Sequence, residues 1–235
     1  MNKTVSIILC TFNEVNHIEK CLDLIKKNLN NVQVIIVDDN SSDGTIKKLD
    51  QLKYKFFFEL YVRKKVRGLA TAQKFGFSKA TGDYVGTVDV NSKDQLLYFK
   101  DLIDRLDKGY DIAVLSRYVA GGGDERAFIR SLTSLAINKV GKFFLRISFN
   151  DFTSGIFIMK RELLLETENV ISGYAEWFIE FIYILDKKNF KIFELPYVQT
   201  KDDKSIKSKS YPNLVKFFYL GLKYLLRILL TLIRR

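Results

Sequence analysis

The sequence has a single histidine, two cysteines, two prolines and one tryptophan in 235 residues, and each scarcity closes off an explanation. Cys10 falls in an apolar, strand-like run and Cys21 in a helical pattern. They read as buried reduced thiols, not as a disulfide framework, which points to a reducing compartment. The lone His17 lies in the first helical pattern and suits surface or capping use better than acid–base work. With so few prolines, 13 glycines and no long polar low-complexity tract, a disordered linker is not expected, and there is no self-similarity at solenoid periods. No basic and then apolar leader precedes the first strand signal at Val5, so a secretory signal is not expected and the body should stay in the cytosol.

What is present is a 47% hydrophobic chain, enough for one sizeable α/β core. Its formal net charge of +11 calls for anionic partners: phosphates, nucleic acid or acidic lipid. Short β-branched runs at Val5–Leu9, Val32–Val37, Phe56–Val62, Tyr84–Val88, Ile112–Leu115, Ile156–Met159 and Phe190–Leu195 read as strands. Helical patterns occupy about Glu14–Lys27, Leu69–Ala80, Leu96–Lys108, Arg126–Arg146 and Glu176–Lys187, with a further helix after Gly44. Strands alternating with helices imply a largely parallel sheet covered on both faces, with ligands beyond the carboxyl ends of the strands. Asp38, Asp39 and Asp89 fall at such ends. Residues 200–210 lack an apolar period and read as a mobile basic loop.

Alone, an Asp at a strand end is weak evidence, because turns and helix caps use Asp constantly. Here it has company. The chain carries Thr11-Phe12-Asn13-Glu14, Val37-Asp38-Asp39-Asn40-Ser41-Ser42-Asp43-Gly44-Thr45, Arg67-Gly68-Leu69-Ala70-Thr71-Ala72 and Thr81-Gly82-Asp83-Tyr84 before Asp89. In this order and spacing the segments resemble the family-two GT-A glycosyltransferases. Ser116-Arg117-Tyr118-Val119 before Gly121-Gly122-Gly123, and Asp151-Phe152-Thr153-Ser154-Gly155, narrow the resemblance to the dolichyl-phosphate mannose synthase branch, a group of polyprenyl-phosphate hexosyltransferases. It spans about residues 4 to 209.

The resemblance implies a GT-A, Rossmann-like α/β fold with a mixed, mainly parallel sheet flanked by helices. It assigns nucleotide-sugar binding to Phe12, Glu14, Val37, Asp39 and Gly68. It puts a divalent metal, Mg²⁺ or Mn²⁺, on an Asp-x-Asp pair whose matching positions are Asp89 and Asn91. Asn91 offers a carbonyl oxygen but one negative charge fewer, so the cation should lean more on the nucleotide phosphates. Lys93 stands where the family often has Gln, Asp203 where it usually has Arg, and Ile206 where it usually has Gly. Arg117, Arg130 and Lys209 match cationic positions that, with Asp89, would carry the reaction.

That reaction would be inverting transfer of a hexose, with mannose from GDP-mannose ahead of UDP-glucose, onto dolichyl or another polyprenyl phosphate. A phosphate monoester, with a second pKa of about 6, is already a nucleophile at neutral pH, so no strong general base is required. A non-catalytic relative that keeps the fold, and a UDP-sugar enzyme of surface-glycan synthesis, are the rival readings. Homo-oligomerisation and a small membrane subunit stay open.

Residues 1–210 are expected to form the catalytic domain and 211–235 an amphipathic membrane-associating helix. From Asn213 onward the chain is rich in Leu, Phe, Tyr and Ile, but Lys216, Lys223 and Arg227 disfavour a spanning helix. At 100° per residue Lys216, Lys223, Arg227 and Arg234 fall within roughly 20° of one line, which predicts an interfacial helix with its cations toward headgroups. The Arg126–Arg146 stretch offers a second docking surface. The expected place is therefore peripheral, on the cytoplasmic face of a membrane. Nucleic-acid binding is disfavoured, because the basic residues are interleaved with an apolar face and not with a base-stacking platform.

Overall fold

The computed structural model describes residues 3–91, 94–201 and 214–234. Strands β1 (Val5–Thr11), β2 (Val32–Asp38), β3 (Glu59–Val62), β4 (Tyr84–Thr87), β5 (Ile112–Ser116), β7 (Phe157–Lys160) and β8 (Ile192–Pro196) make a seven-stranded sheet of order β3-β2-β1-β4-β7-β5-β8. β1 to β4 pair in parallel, as do β5 and β8, whereas β7 is antiparallel to both β4 and β5. The mixed sheet expected from the resemblance is thus observed. A second, two-stranded ladder joins β6 (Gly123–Asp124) to β9 (Val198–Gln199), two segments outside the strand runs read from the sequence.

Alternation along the strands divides the interior into two cores. Val5, Ile7, Leu9, Val34 and Ile36 pack with α1 (Ile18–Asn28), α2 (Thr45–Leu52) and α4 (Phe99–Asp107). Ile8, Ile35, Val37 and Val85 pack on the other face with α3 (Leu69–Lys79), α5 (Phe128–Leu145) and α7 (Trp177–Lys187), and α6 (Leu163–Thr167) adds Leu163. Helix α3 sits so close to β1 that a Cβ on Gly76 would lie 2.5 Å from Ile8, so glycine is required there.

Helix α8 (Leu214–Ile233) lies against α5 and α7, burying Leu220, Tyr224, Ile228 and Thr231. This changes the account of its cationic line. Arg227 is buried, its Nη1 donating to Glu180 at 2.7 Å and its Nη2 to the Ser172 carbonyl at 2.7 Å, and Arg234 Nη1 reaches the same carboxylate at 3.1 Å. Half of the line therefore faces α7, because a buried carboxylate there compensates the charge. The surface turned outward is apolar, with Val215, Phe218, Leu222, Leu226, Leu229 and Ile233 all exposed, and Phe128 and Phe143 of α5 are exposed as well. Among the described residues no helix is long and apolar enough to cross a membrane.

Candidate active site

The carboxyl ends of β1, β2 and β4 open on one cleft. Thr11 pairs in register with Asp38, and its hydroxyl donates to Asp38 Oδ2 at 2.6 Å. Ser41 donates to the same carboxylate from its amide at 2.7 Å and its hydroxyl at 2.6 Å. Asp38 is fully buried and serves as the hub of the turn. The loop after β1 is stitched to it: the Asn13 amide donates to Ser41 Oγ at 2.8 Å, the Glu14 amide to Thr45 Oγ1 at 2.8 Å, and the Ser42 amide to Asn13 Oδ1 at 2.9 Å. These bonds fix the loop that carries Phe12 and Glu14. Phe12 is 40% exposed, and the Arg67 guanidinium lies 5.0 Å from its ring centre, a cation–π stack at the cleft rim.

Asp39 is clasped from two sides. Arg63 donates to Oδ1 from Nε at 2.8 Å and also from Nη2, while the Gly68 amide donates to Oδ2 at 2.8 Å. Gly68 has φ +135°, which suits glycine, and it opens α3. Arg63 belongs to none of the motifs above; its place just after the carboxyl end of β3 is the signal that points to it. Val37 is fully buried in the sheet core, which removes its side chain from the nucleoside contacts expected of it. His17 Nδ1 lies 3.0 Å from Glu14 Oε2.

Asp89 follows β4 and opens onto the cleft, solvent-exposed but surrounded by protein. Desolvation by that surrounding mass, with the Glu14 carboxylate adding to it, raises its pKa above the usual carboxylate range. The Cys10 thiol feels the same cluster: burial raises its pKa, Asp39 and Asp89 add, and Arg63 opposes. Asn91 is exposed just beyond. Among the described residues no three His, Cys, Asp or Glu side chains group as a metal cage. One carboxylate followed two residues on by an amide oxygen fits a hard cation that takes its remaining ligands from phosphates.

Arg117 sits in the wall and not on an open surface. Its Nε and Nη2 grip Asp151 at 2.8 and 2.7 Å, its amide donates to Asp151 Oδ2 at 2.9 Å, and Nη2 also donates to Thr153 Oγ1 at 2.6 Å. Burial opposes its charge, but Asp151 outweighs burial and its pKa is raised. Arg130 lies on α5 and lines an open pocket between α5 and α8 with Arg126, Thr133, Ser134, Ile137, Thr153, Phe217, Leu220, Gly221 and Tyr224. Arg126 and its partner Asp124 belong to no sequence motif, and folding alone brings them to this pocket. Lys93, Asp203, Ile206 and Lys209 lie outside the described residues.

Comparison with known proteins places this geometry. Over 228 residues the chain is 29% identical to a dolichol-phosphate mannosyltransferase of Pyrococcus furiosus, covering 94% of this chain and 64% of that protein. Over 217 residues it is 26% identical to a polyprenol monophosphomannose synthase of Mycolicibacterium smegmatis, covering 88% and 82%. The chain thus spans just under two thirds of the length of the Pyrococcus protein. A solved structure of glucosyl-3-phosphoglycerate synthase from Mycobacterium tuberculosis, in complex with Mn²⁺, UDP-glucose and phosphoglyceric acid, superposes with a TM-score of 0.71 at 15% identity, covering 98% of this chain and 80% of that one; the likeness is one of fold. Residues 6–168 match the family model for glycosyl transferase family 2, well over half of the sequence, and the chain belongs to that family.

Proposed function

We propose that this chain transfers a hexose, mannose from GDP-mannose, with inversion onto dolichyl or another polyprenyl phosphate, working as a peripheral protein on the cytoplasmic face of a membrane. The observation that carries the reading is one of placement. The strand-end carboxylates Asp39 and Asp89 lie on one cleft, and the α5/α8 pocket combines arginines with apolar walls beside an outward apolar surface. The names of the two relatives support the mannosyl group and the lipid-phosphate acceptor.

In this reading the loop carrying Phe12 and Glu14, with Asp39 held by Arg63 and Gly68, receives the nucleoside. Asp89 and the Asn91 side-chain oxygen would hold Mg²⁺ or Mn²⁺, which supplies charge neutralisation to the donor diphosphate when bound. A phosphate oxygen of the acceptor attacks the anomeric carbon, and the bond to the diphosphate breaks with its electron pair left on the departing oxygen. One displacement gives inversion. The chain's task is to hold two anions in line, which suits the cationic side chains at Arg130 and Lys209, with the buried Arg117–Asp151 pair bracing the wall behind them.

Asn91, in place of a second carboxylate, favours as a second reading a relative that binds nucleotide without turnover. Purified chain offered GDP-mannose, UDP-glucose and other donors, with Mg²⁺ or Mn²⁺ and a polyprenyl phosphate, separates the readings. Mannosyl transfer dependent on the phosphate supports the proposal. Transfer from UDP-sugars alone, or nucleotide binding without transfer, overturns it.

A further inference from the structure

We propose that Asp124 is a positioning residue that fixes Arg126 at the mouth of the slot between α5 and α8, where Arg126 and Arg130 grip the acceptor's phosphate and the slot takes the first units of its apolar chain. The inference rests on the lipid-phosphate reading above and adds to it the residues that recognise the head and the start of the tail.

Asp124 is held from the backbone. It ends β6, whose pairing with β9 is extended by the Gly123 amide donating to the Tyr197 carbonyl at 3.1 Å and the Glu125 amide to the Gln199 carbonyl at 2.9 Å. Its side chain is 3% exposed and stands between two arginines. Arg126 Nε donates to Oδ1 at 2.8 Å and Arg126 Nη2 to Oδ2 at 2.6 Å, Tyr118 Oη lies 3.2 Å from Oδ2, and Arg117 Nη1 is 3.6 Å away. Without the carboxylate the two guanidinium groups would repel across the gap it fills. Ser134 Oγ accepts from Arg126 Nη2 at 3.0 Å and fixes the far end of the fork. That leaves Arg126 Nη1, which makes no hydrogen bond to the described residues, on a side chain that lines the slot.

The slot has a mixed lining. Arg126, Arg130, Thr133, Ser134 and Thr153 supply polar groups, and Thr153 also receives Arg117 Nη2, which ties the slot to the cleft wall. Ile137, Phe217, Leu220 and Tyr224 supply apolar and aromatic surface. An anionic head joined to an apolar chain satisfies both kinds of lining, whereas free phosphate satisfies only the first. Gly221 keeps the slot open: a Cβ there would stand 4.0 Å from Thr133 Cγ2, so a large side chain would occupy the space.

The test uses the full purified chain with a short, water-soluble prenyl phosphate, and compares it with the matching prenol and with inorganic phosphate by calorimetry and by steady-state transfer. Arg126→Ala should raise the acceptor KM at least about tenfold and leave the donor KM within about twofold, as expected for loss of a charge-assisted contact to one substrate only. Arg126→Lys should recover part of the loss, and Asp124→Asn should raise the acceptor KM while the donor KM holds. Gly221→Leu should weaken the prenyl phosphate but not inorganic phosphate. If Asp124→Asn fails to fold by circular dichroism, Ser134→Ala, which removes only the second anchor of Arg126, carries the positioning arm and should raise the acceptor KM severalfold. An unchanged acceptor KM in Arg126→Ala overturns the proposal, as does a parallel rise of donor and acceptor KM in every variant. If wild type transfers to no prenyl phosphate, the functional reading fails; the site itself is then judged by calorimetry, where prenyl phosphate binding that is lost in Arg126→Ala supports it and absence of binding overturns it.

Discussion

Removing Asp151 should show how far the cleft wall depends on one buried ion pair. Arg117 and Asp151 have side chains 2% and 0% exposed, and Arg117 gives that carboxylate three hydrogen bonds of 2.7 to 2.9 Å. In Asp151→Ala the guanidinium stays charged and buried, with the Thr153 hydroxyl at 2.6 Å, Asp124 at 3.6 Å and the Tyr118 ring at 5.2 Å left to compensate it. Breaking a buried pair by deleting one partner costs about 3–5 kcal/mol, because the remaining charge is left desolvated. That is a large share of the roughly 5–15 kcal/mol that holds a typical domain together. Replacing both partners by apolar groups, Arg117→Met with Asp151→Leu, removes the charge along with its counter-ion and should restore most of the stability. Urea unfolding followed by the fluorescence of Trp177, the single tryptophan and 1% exposed, reads both variants. A loss below about 1 kcal/mol in Asp151→Ala, or no recovery in the double variant, would refute the argument that desolvation dominates.

Asp89→Ala should abolish transfer with the fold intact, and Asn91→Asp should tighten metal dependence; both are read by activity against Mn²⁺ titration, and near-normal turnover of Asp89→Ala would remove it from the site. Burial alone would raise the Asp124 pKa, but the hydrogen bonds and charge of Arg126 outweigh it and hold the carboxyl at about 2. Its folded value is therefore below its unfolded one, so its stabilisation is present above a pH of about 4 and is lost as pH falls toward 2; Asp124→Asn should flatten that acid limb in urea titrations. Changing Leu222, Leu226 and Leu229 to Glu should release the chain from anionic vesicles in flotation without unfolding it, because all three are exposed. Arg227→Ala should instead destabilise by about 2 kcal/mol or more, measured in urea, since it removes the buried partner of Glu180 and leaves that carboxylate only the more exposed Arg234. Truncation at residue 213 would also remove core side chains, which makes these point variants the cleaner membrane test.

The alternation of strands and helices and the placing of Asp39 and Asp89 at carboxyl ends are legible in the residues alone, because apolar period and turn chemistry are local properties. So is the cationic stripe of the last helix, since helical phase follows from residue number alone. Which way that stripe turns depends on packing: Arg227 faces inward because Glu180, 47 positions earlier, meets it there. The same holds for Phe157–Lys160, whose four residues read alike in either direction and whose antiparallel entry between β4 and β5 is set by the chain's path. Asp151 lies 34 positions from the Arg117 it neutralises, and Asp124 reaches Arg126 and Arg117 together only because β6 and β9 pair. The reason is common to all of these. A charge's partner is chosen by proximity after folding, and burial fixes how strongly the pair is felt, whereas the sequence records only that both charges exist.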